Sequence, residues 1–220
     1  MCGRYTFQPS EAFYKRFNIA NRLDGLVARY NIAPSQLVPV IISQGPNHVM
    51  LMRWGLIPHW ANEEKTAYKM INARMETLTQ RPAFRSLLAA HRCIIPASGY
   101  YEWRQEDKAK TPYYIHPKSH PLFAFAGLYD VWTKPDGEEL YTFTIITKNA
   151  DECMAHLHHR MPVILERELE DAWLNTEITN MREVLNILER SAGVTLDAYP
   201  VSRMVNKPSV DSQALIQPVA

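Results

Sequence analysis

Phe125-Ala-Gly-Leu-Tyr-Asp-Val131, Lys134-Pro-Asp-Gly-Glu138 and Leu140-Tyr-Thr-Phe-Thr-Ile-Ile146 form the stretch on which the fold turns. Branched and aromatic residues fill both arms. Between them proline presets a bend and glycine accepts positive φ, so the stretch predicts a β-hairpin. Outward from it, further strand-like runs lie at Leu37–Ile42, Val49–Trp54, Cys93–Ile95, Tyr100–Arg104, Tyr113–His116, Phe123–Ala126, Val163–Leu165 and Thr195–Tyr199. Helical signals are fewer: Ser10 opens Ser-Glu-Ala-Phe-Tyr-Lys-Arg-Phe, Arg81-Pro82 precedes Ala-Phe-Arg-Ser-Leu-Leu-Ala-Ala, and Glu166–Leu174 and Thr179–Ser191 space apolar residues by three and four. Strands and helices do not alternate as βαβ units require. The predicted class is α+β: one domain over residues 1–220, with a mainly antiparallel, curved or barrel-like sheet and peripheral helices.

The 15 prolines are dispersed rather than gathered in a hinge, and no repeat or long linker divides the 220 residues. No run approaches the roughly 18 apolar residues of a membrane helix, and Met-Cys-Gly-Arg-Tyr lacks an apolar signal region, so a cytoplasmic chain without membrane contact is expected; it is expected to be a monomer as well. Cys2, Cys93 and Cys153 show no zinc-ribbon spacing, and an odd count without an export signal argues for reduced thiols. A net charge of +1 hides an asymmetry: residues 1–110 hold 15 Lys and Arg against 8 Asp and Glu, and the remainder hold 9 against 15. The basic half is rich in arginine, whose planar fork suits phosphate, although a half-chain sum does not define a face.

Cys2 carries the most chemical information. Methionine aminopeptidases generally remove Met1 when the second residue is small, which leaves an α-amine and a thiol on one carbon framework. The amine titrates near 7.7–8.0 and the thiol near about 8.5, so near neutrality both are far more nucleophilic than a lysine at about 10.4. Such a 1,2-aminothiol attacks an aldehyde twice, first through nitrogen to an imine and then through sulfur to a thiazolidine. This reading requires a freed terminus and a sulfur that faces a cleft. In an arbitrary protein, Cys2 would be an incidental residue of a frayed end.

Other dense segments accompany it: Met1-Cys-Gly-Arg-Tyr5, Arg29-Tyr-Asn-Ile-Ala-Pro34, Trp54-Gly-Leu-Ile-Pro58, Ile71-Asn-Ala-Arg-Met-Glu-Thr77, Ile95-Pro-Ala-Ser-Gly-Tyr-Tyr-Glu-Trp103, Phe125-Ala-Gly-Leu-Tyr129, Thr144-Ile-Ile-Thr147, His158-His-Arg-Met-Pro-Val-Ile-Leu165 and Tyr199-Pro-Val-Ser-Arg203. In order and spacing they resemble the SRAP family, the SOS response-associated peptidases or abasic-site processing proteins, over almost the whole chain. The resemblance implies a sensor of abasic sites in single-stranded DNA that links itself to the lesion through Cys2, shielding it from cleavage, with associated lyase and autoproteolytic chemistry. Carried over by motif, Cys2 is the nucleophile, Asn72 the active-site asparagine, and Glu102 and His158 the acid/base pair. Arg4, Arg74, Arg81 and Arg160 match phosphate contacts, Pro34 and Trp60 surfaces for an unpaired base, and Thr147 a hydroxyl contact. His159 stands where the family commonly has an acidic residue. No metal or other cofactor is implied.

Each residue also has a plainer reading. Glu102, between Tyr101 and Trp103, fits the solvent-facing member of an alternating strand, and Asn72 fits a cap or turn before a helix. Trp60 fits a core tryptophan. Cys153, His156, His158 and His159 raise a metal site, though in an unusual zinc spacing. Two other functions fit the same chain: an N-terminal-nucleophile cysteine amidase or peptidase, and a noncovalent single-strand binding module.

Overall fold

The structure is a computed structural model and describes residues 2–106, 109–118, 120–191 and 194–219. Met1, on whose removal the aminothiol reading depends, lies outside the described residues.

The predicted hairpin is the centre of the fold. Strands β9 (Phe123–Thr133) and β10 (Glu139–Asn149) pair antiparallel from Glu139↔Thr133 to Ile145↔Gly127. Their turn closes through Lys134 N–H to Glu138 O at 2.8 Å and Gly137 N–H to Lys134 O at 2.9 Å, with Gly137 at φ +88°. From β9 the sheet continues through β6 (Arg92–Ala97), β3 (Leu37–Ser43) and β4 (Asn47–Trp54). It then returns to β10, because Arg53 and Trp54 pair in parallel with Thr142 and Phe143. A ring of five strands, antiparallel except at that one seam, therefore closes on itself and removes its edges. Strands β3, β6 and β9 are buried on both faces over most of their length, which explains why they read as apolar runs, whereas β4 buries only Val49, Met52 and Trp54.

The last residues of β10 outrun the ring. There Ile145–Thr147 take β5 (Asn72–Arg74) in parallel, and Thr147–Asn149 take β11 (Arg160–Pro162) antiparallel. A second, antiparallel sheet runs in the order β12 (Leu196–Pro200), β8 (Ala109–Pro117), β7 (Gly99–Glu106), β1 (Tyr5–Phe7), β2 (Arg29–Ile32). Aromatic rings join it to the barrel: Tyr5 meets Trp54 at 5.3 Å and Phe125 at 6.2 Å, and Tyr100 meets Phe125 at 5.9 Å. Such pairs add about 0.5–1.5 kcal/mol each beyond the area they bury.

Helices are peripheral. The helix opened by Ser10 is α1 (Glu11–Arg16), and the expected helix after Arg81 divides at Ser86 into α2 (Pro82–Arg85) and α3 (Leu87–Ala90). A short α4 (Glu152–Ala155) was not foreseen. Of the two amphipathic runs, α5 (Arg167–Leu174) buries Leu169, Trp173 and Leu174, and α6 (Met181–Arg190) starts on Asn180, whose side chain accepts from Arg182 and Glu183 N–H. The expected strand at Val163–Leu165 is displaced: the ladder lies at Arg160–Pro162, and Ile164 makes only an isolated bridge to Phe125. Asn72 opens strand β5 instead of preceding a helix, and a 3₁₀ turn, Met75–Thr77, follows.

Candidate active site

The site lies where the two sheets meet. Cys2 precedes β1, and Glu102 sits on β7 two residues beyond Tyr100, the cross-strand partner of Tyr5. Side chains two apart on a strand share a face, so Glu102 lies on the same inward face as Tyr100 and is only 3% exposed. A solvent-facing Glu102 is thus excluded. Close approach at Gly99 keeps this strand in place: a Cβ there would lie 2.4 Å from the Tyr114 ring, whose hydroxyl is 3.0 Å from Thr6 Oγ1.

From the barrel side, the Asn72 amide donates Nδ2–H to the Cys2 main-chain oxygen at 2.8 Å, and Asn72 Oδ1 is buried without a partner. Cys2 itself is fully buried in the chain that carries Met1, so its sulfur does not face an open cleft in that state. The cause is packing: Cys2 belongs to the main apolar core. Burial, reinforced by the charge of Glu102, drives the Cys2 thiol far above its ordinary range. Burial likewise raises the Glu102 carboxyl above the usual carboxylate value.

His158 is half-buried on the turn that enters β11. Its Nδ1 lies 2.9 Å from Arg160 N and 3.1 Å from Arg160 O, so the Arg160 main chain fixes this edge of the ring and leaves Nε2 as the other working nitrogen. Burial lowers its affinity for a proton below the usual histidine value. The ring stacks on exposed His159 at 4.3 Å, and His159 in turn bears electrostatically on Glu102. The adjacency of the two histidines in His-His-Arg-Met-Pro is the sequence signal for this stack.

The expected DNA contacts divide. Arg74 and Arg81 are exposed, Pro34 is half-exposed, and Trp60 is 56% exposed rather than a core residue. The Trp60 loop is anchored: His59 N–H donates to Asp130 Oδ2 at 2.9 Å, Ile57 N–H to Thr142 Oγ1 at 2.9 Å, and Trp132 Nε1–H to Ala61 O at 2.7 Å. Arg4 is half-buried, with Nη1 donating to Asn31 Oδ1 and Val205 O. Thr147 and Arg160 are buried and bonded internally, which does not suit the surface contact expected of them. Thr147 Oγ1 donates to Ala73 O, and Arg160 holds Glu76 through both Nη atoms. Among the described residues no group of three or more His, Cys, Asp or Glu is arranged to hold a metal, and no helix is long and apolar enough to cross a membrane.

A closed mixed barrel with an antiparallel sheet laid on it, and a second-residue cysteine gripped by asparagine beside a buried glutamate, define a protein built around its own amino terminus. Comparison with known proteins gives that class its family. Residues 1–208 match the model of the SOS response associated peptidase (SRAP) family, and the chain belongs to it. It is 47% identical over 222 residues to the abasic site processing protein YoqW of Bacillus subtilis, covering 99% of both chains. It is 33% identical over 225 residues to the abasic site processing protein HMCES of Gallus gallus, covering 86% of this chain and 66% of that one. A crystal structure of a protein from Bacteroides thetaiotaomicron superposes with a TM-score of 0.87 at 30% identity over the whole of both chains.

Proposed function

We propose that this chain captures the aldehyde of an abasic site in single-stranded DNA on the amine and thiol of Cys2. The observation that carries the reading is the Asn72–Cys2 hydrogen bond, which brings the second residue of the chain to a junction already holding a buried carboxyl. The likeness to abasic site processing proteins supports the substrate class. Work on that substrate would place the protein where the cell keeps its DNA.

Hydrolysis of the Met1–Cys2 peptide bond consumes one water and frees the Cys2 α-amine. This step comes first, because the Cys2 nitrogen is not a nucleophile while Met1 acylates it. The abasic sugar is mostly a closed hemiacetal; neutral His158 takes the C1′ hydroxyl proton and returns it to the ring oxygen as the C1′–O4′ bond breaks and the aldehyde forms. The α-amine nitrogen bonds to the sugar C1′, and the carbonyl electron pair moves to oxygen, which is protonated. Glu102, whose proton affinity burial raises above the usual carboxylate value, donates a proton to that hydroxyl, and water leaves to give the imine. The Cys2 sulfur adds last: its proton passes to Glu102 and then to nitrogen as the C–S bond closes the thiazolidine. The sum is aldehyde plus aminothiol giving thiazolidine plus one water. An imine left unclosed loses its C2′ proton and breaks the adjoining phosphate ester, which accounts for an associated lyase activity. Arg74 and Arg81 would grip flanking phosphates, and Trp60 and Pro34 would support a base.

Intact mass before and after incubation with a uracil-containing oligonucleotide treated with uracil glycosylase tests the reading. The expected masses are the chain without Met1, then that chain plus the oligonucleotide less one water.

A further inference from the structure

Glu76 lies four residues after Asn72, on the 3₁₀ turn that follows β5, and its carboxylate receives both arms of the Arg160 guanidinium at 2.6 and 3.0 Å. The same two Nη atoms also donate to Asn149 Oδ1 at 2.8 Å and Thr147 O at 2.6 Å, both at the end of β10. Thr147 is the register partner of Arg74 in β5, and Asn149 is the partner of Arg160 in β11. One buried fork therefore ties together the strand that presents Asn72, the strand that both elements pair with, and the turn that presents His158. The last link is direct, since the Arg160 main chain meets His158 Nδ1 through both its nitrogen and its oxygen.

We infer that Glu76 is a positioning residue: by clamping Arg160 it sets His158 relative to Asn72 and Cys2. The inference rests on the reaction proposed above but concerns a residue that takes no part in it. The guanidinium is buried and the carboxylate half-exposed, so the pair anchors a core side chain from the rim of the site. It is well suited to geometry, since planar bidentate bonds fix orientation as well as distance. Misplacement by about 1 Å costs on the order of 10²-fold in rate.

The test is Glu76→Gln, which keeps the shape and removes the charge. Single-turnover adduct formation at saturating abasic oligonucleotide is expected to fall about tenfold or more, with the half-saturating DNA concentration no higher than in the unmodified chain. Arg160→Lys, which keeps the charge and loses the fork, is expected to reproduce the fall, and the double variant to be no slower than the slower single one. In parallel, NMR of the His158 ring nitrogens should show a shifted titration in Glu76→Gln, because the Arg160 guanidinium beside the ring is no longer held and neutralised. An unchanged rate and an unchanged His158 titration would overturn the inference. So would a loss confined to sub-saturating DNA, which would make the pair a phosphate contact. If the unmodified chain forms no adduct, the proposed function fails, and the His158 titration alone then decides the role of Glu76.

Discussion

Asn72 Nδ2 lies 2.8 Å from the main-chain oxygen of Cys2, and no partner meets the other end of that amide, Oδ1. One side-chain group thus holds the terminus in place and keeps a buried acceptor in reserve beside it. Asn72→Asp replaces the donor with an oxygen that faces the Cys2 carbonyl. Adduct formation is expected to fall on the order of 10²-fold through misplacement. Stability should drop by about 1–3 kcal/mol, the cost of an unsatisfied buried polar group. Stopped adduct assays and chemical denaturation read the two effects separately, and unchanged kinetics would remove Asn72 from the site.

Glu102 is expected to lower stability at the pH where it works. Burial raises its carboxyl, so near pH 4, at roughly the ordinary carboxylate value, the group is largely neutral in the folded chain. As pH rises the unfolded chain ionises first, and stability is lost until the folded carboxyl ionises as well. Glu102→Gln is therefore expected to melt with the unmodified chain in acid and a few degrees above it near pH 8, a shift of about 2–4 °C per kcal/mol at this length. The same variant should lose adduct formation. Coincident melting at both pH values would contradict the assignment.

DNA affinity should depend on the exposed candidates. Replacing Arg74 or Arg81 with Ala is expected to weaken binding to an intact single strand and to lower the salt slope by about 0.7 for each phosphate released. Trp60→Ala should cost about 1–3 kcal/mol with little change in that slope, because stacking is not ionic. Fluorescence anisotropy at several salt concentrations distinguishes the two behaviours.

Arg92 is a contrasting case, buried yet remote in purpose. Its guanidinium caps main-chain oxygens of Leu88, Ala89, Trp173 and Asn175, closing the ends of α3 and α5 against β6. Arg92→Met leaves those carbonyls unmet and is expected to cost about 1–3 kcal/mol for each that stays buried, while adduct formation well below the melting temperature stays near normal. Slow capture by a fully folded variant would show that this layer reaches the site.

What the sequence displayed was what repeats along it. The hairpin at Lys134–Glu138 and the long strands of the barrel carry composition and turn chemistry that survive without context. β1 and β5 have three residues each, too few to show a period, and exist because longer strands accept them. The motif segments marked Cys2, Asn72, Glu102 and His158, yet only packing shows Glu102 turned inward and Cys2 enclosed. Arginine is ambiguous in any motif: Arg74 is exposed, whereas Arg160 is buried against Glu76, and nothing in either local sequence separates them.

The most direct test of covalent capture is the intact mass of the purified chain after abasic single-stranded DNA and protease-free workup, with Cys2→Ala alongside. The account predicts loss of Met1 and then a stable addition of one oligonucleotide less one water, absent in the Cys2→Ala chain. A chain that has lost Met1 and still gains no mass, or that gains it without Cys2, would contradict it.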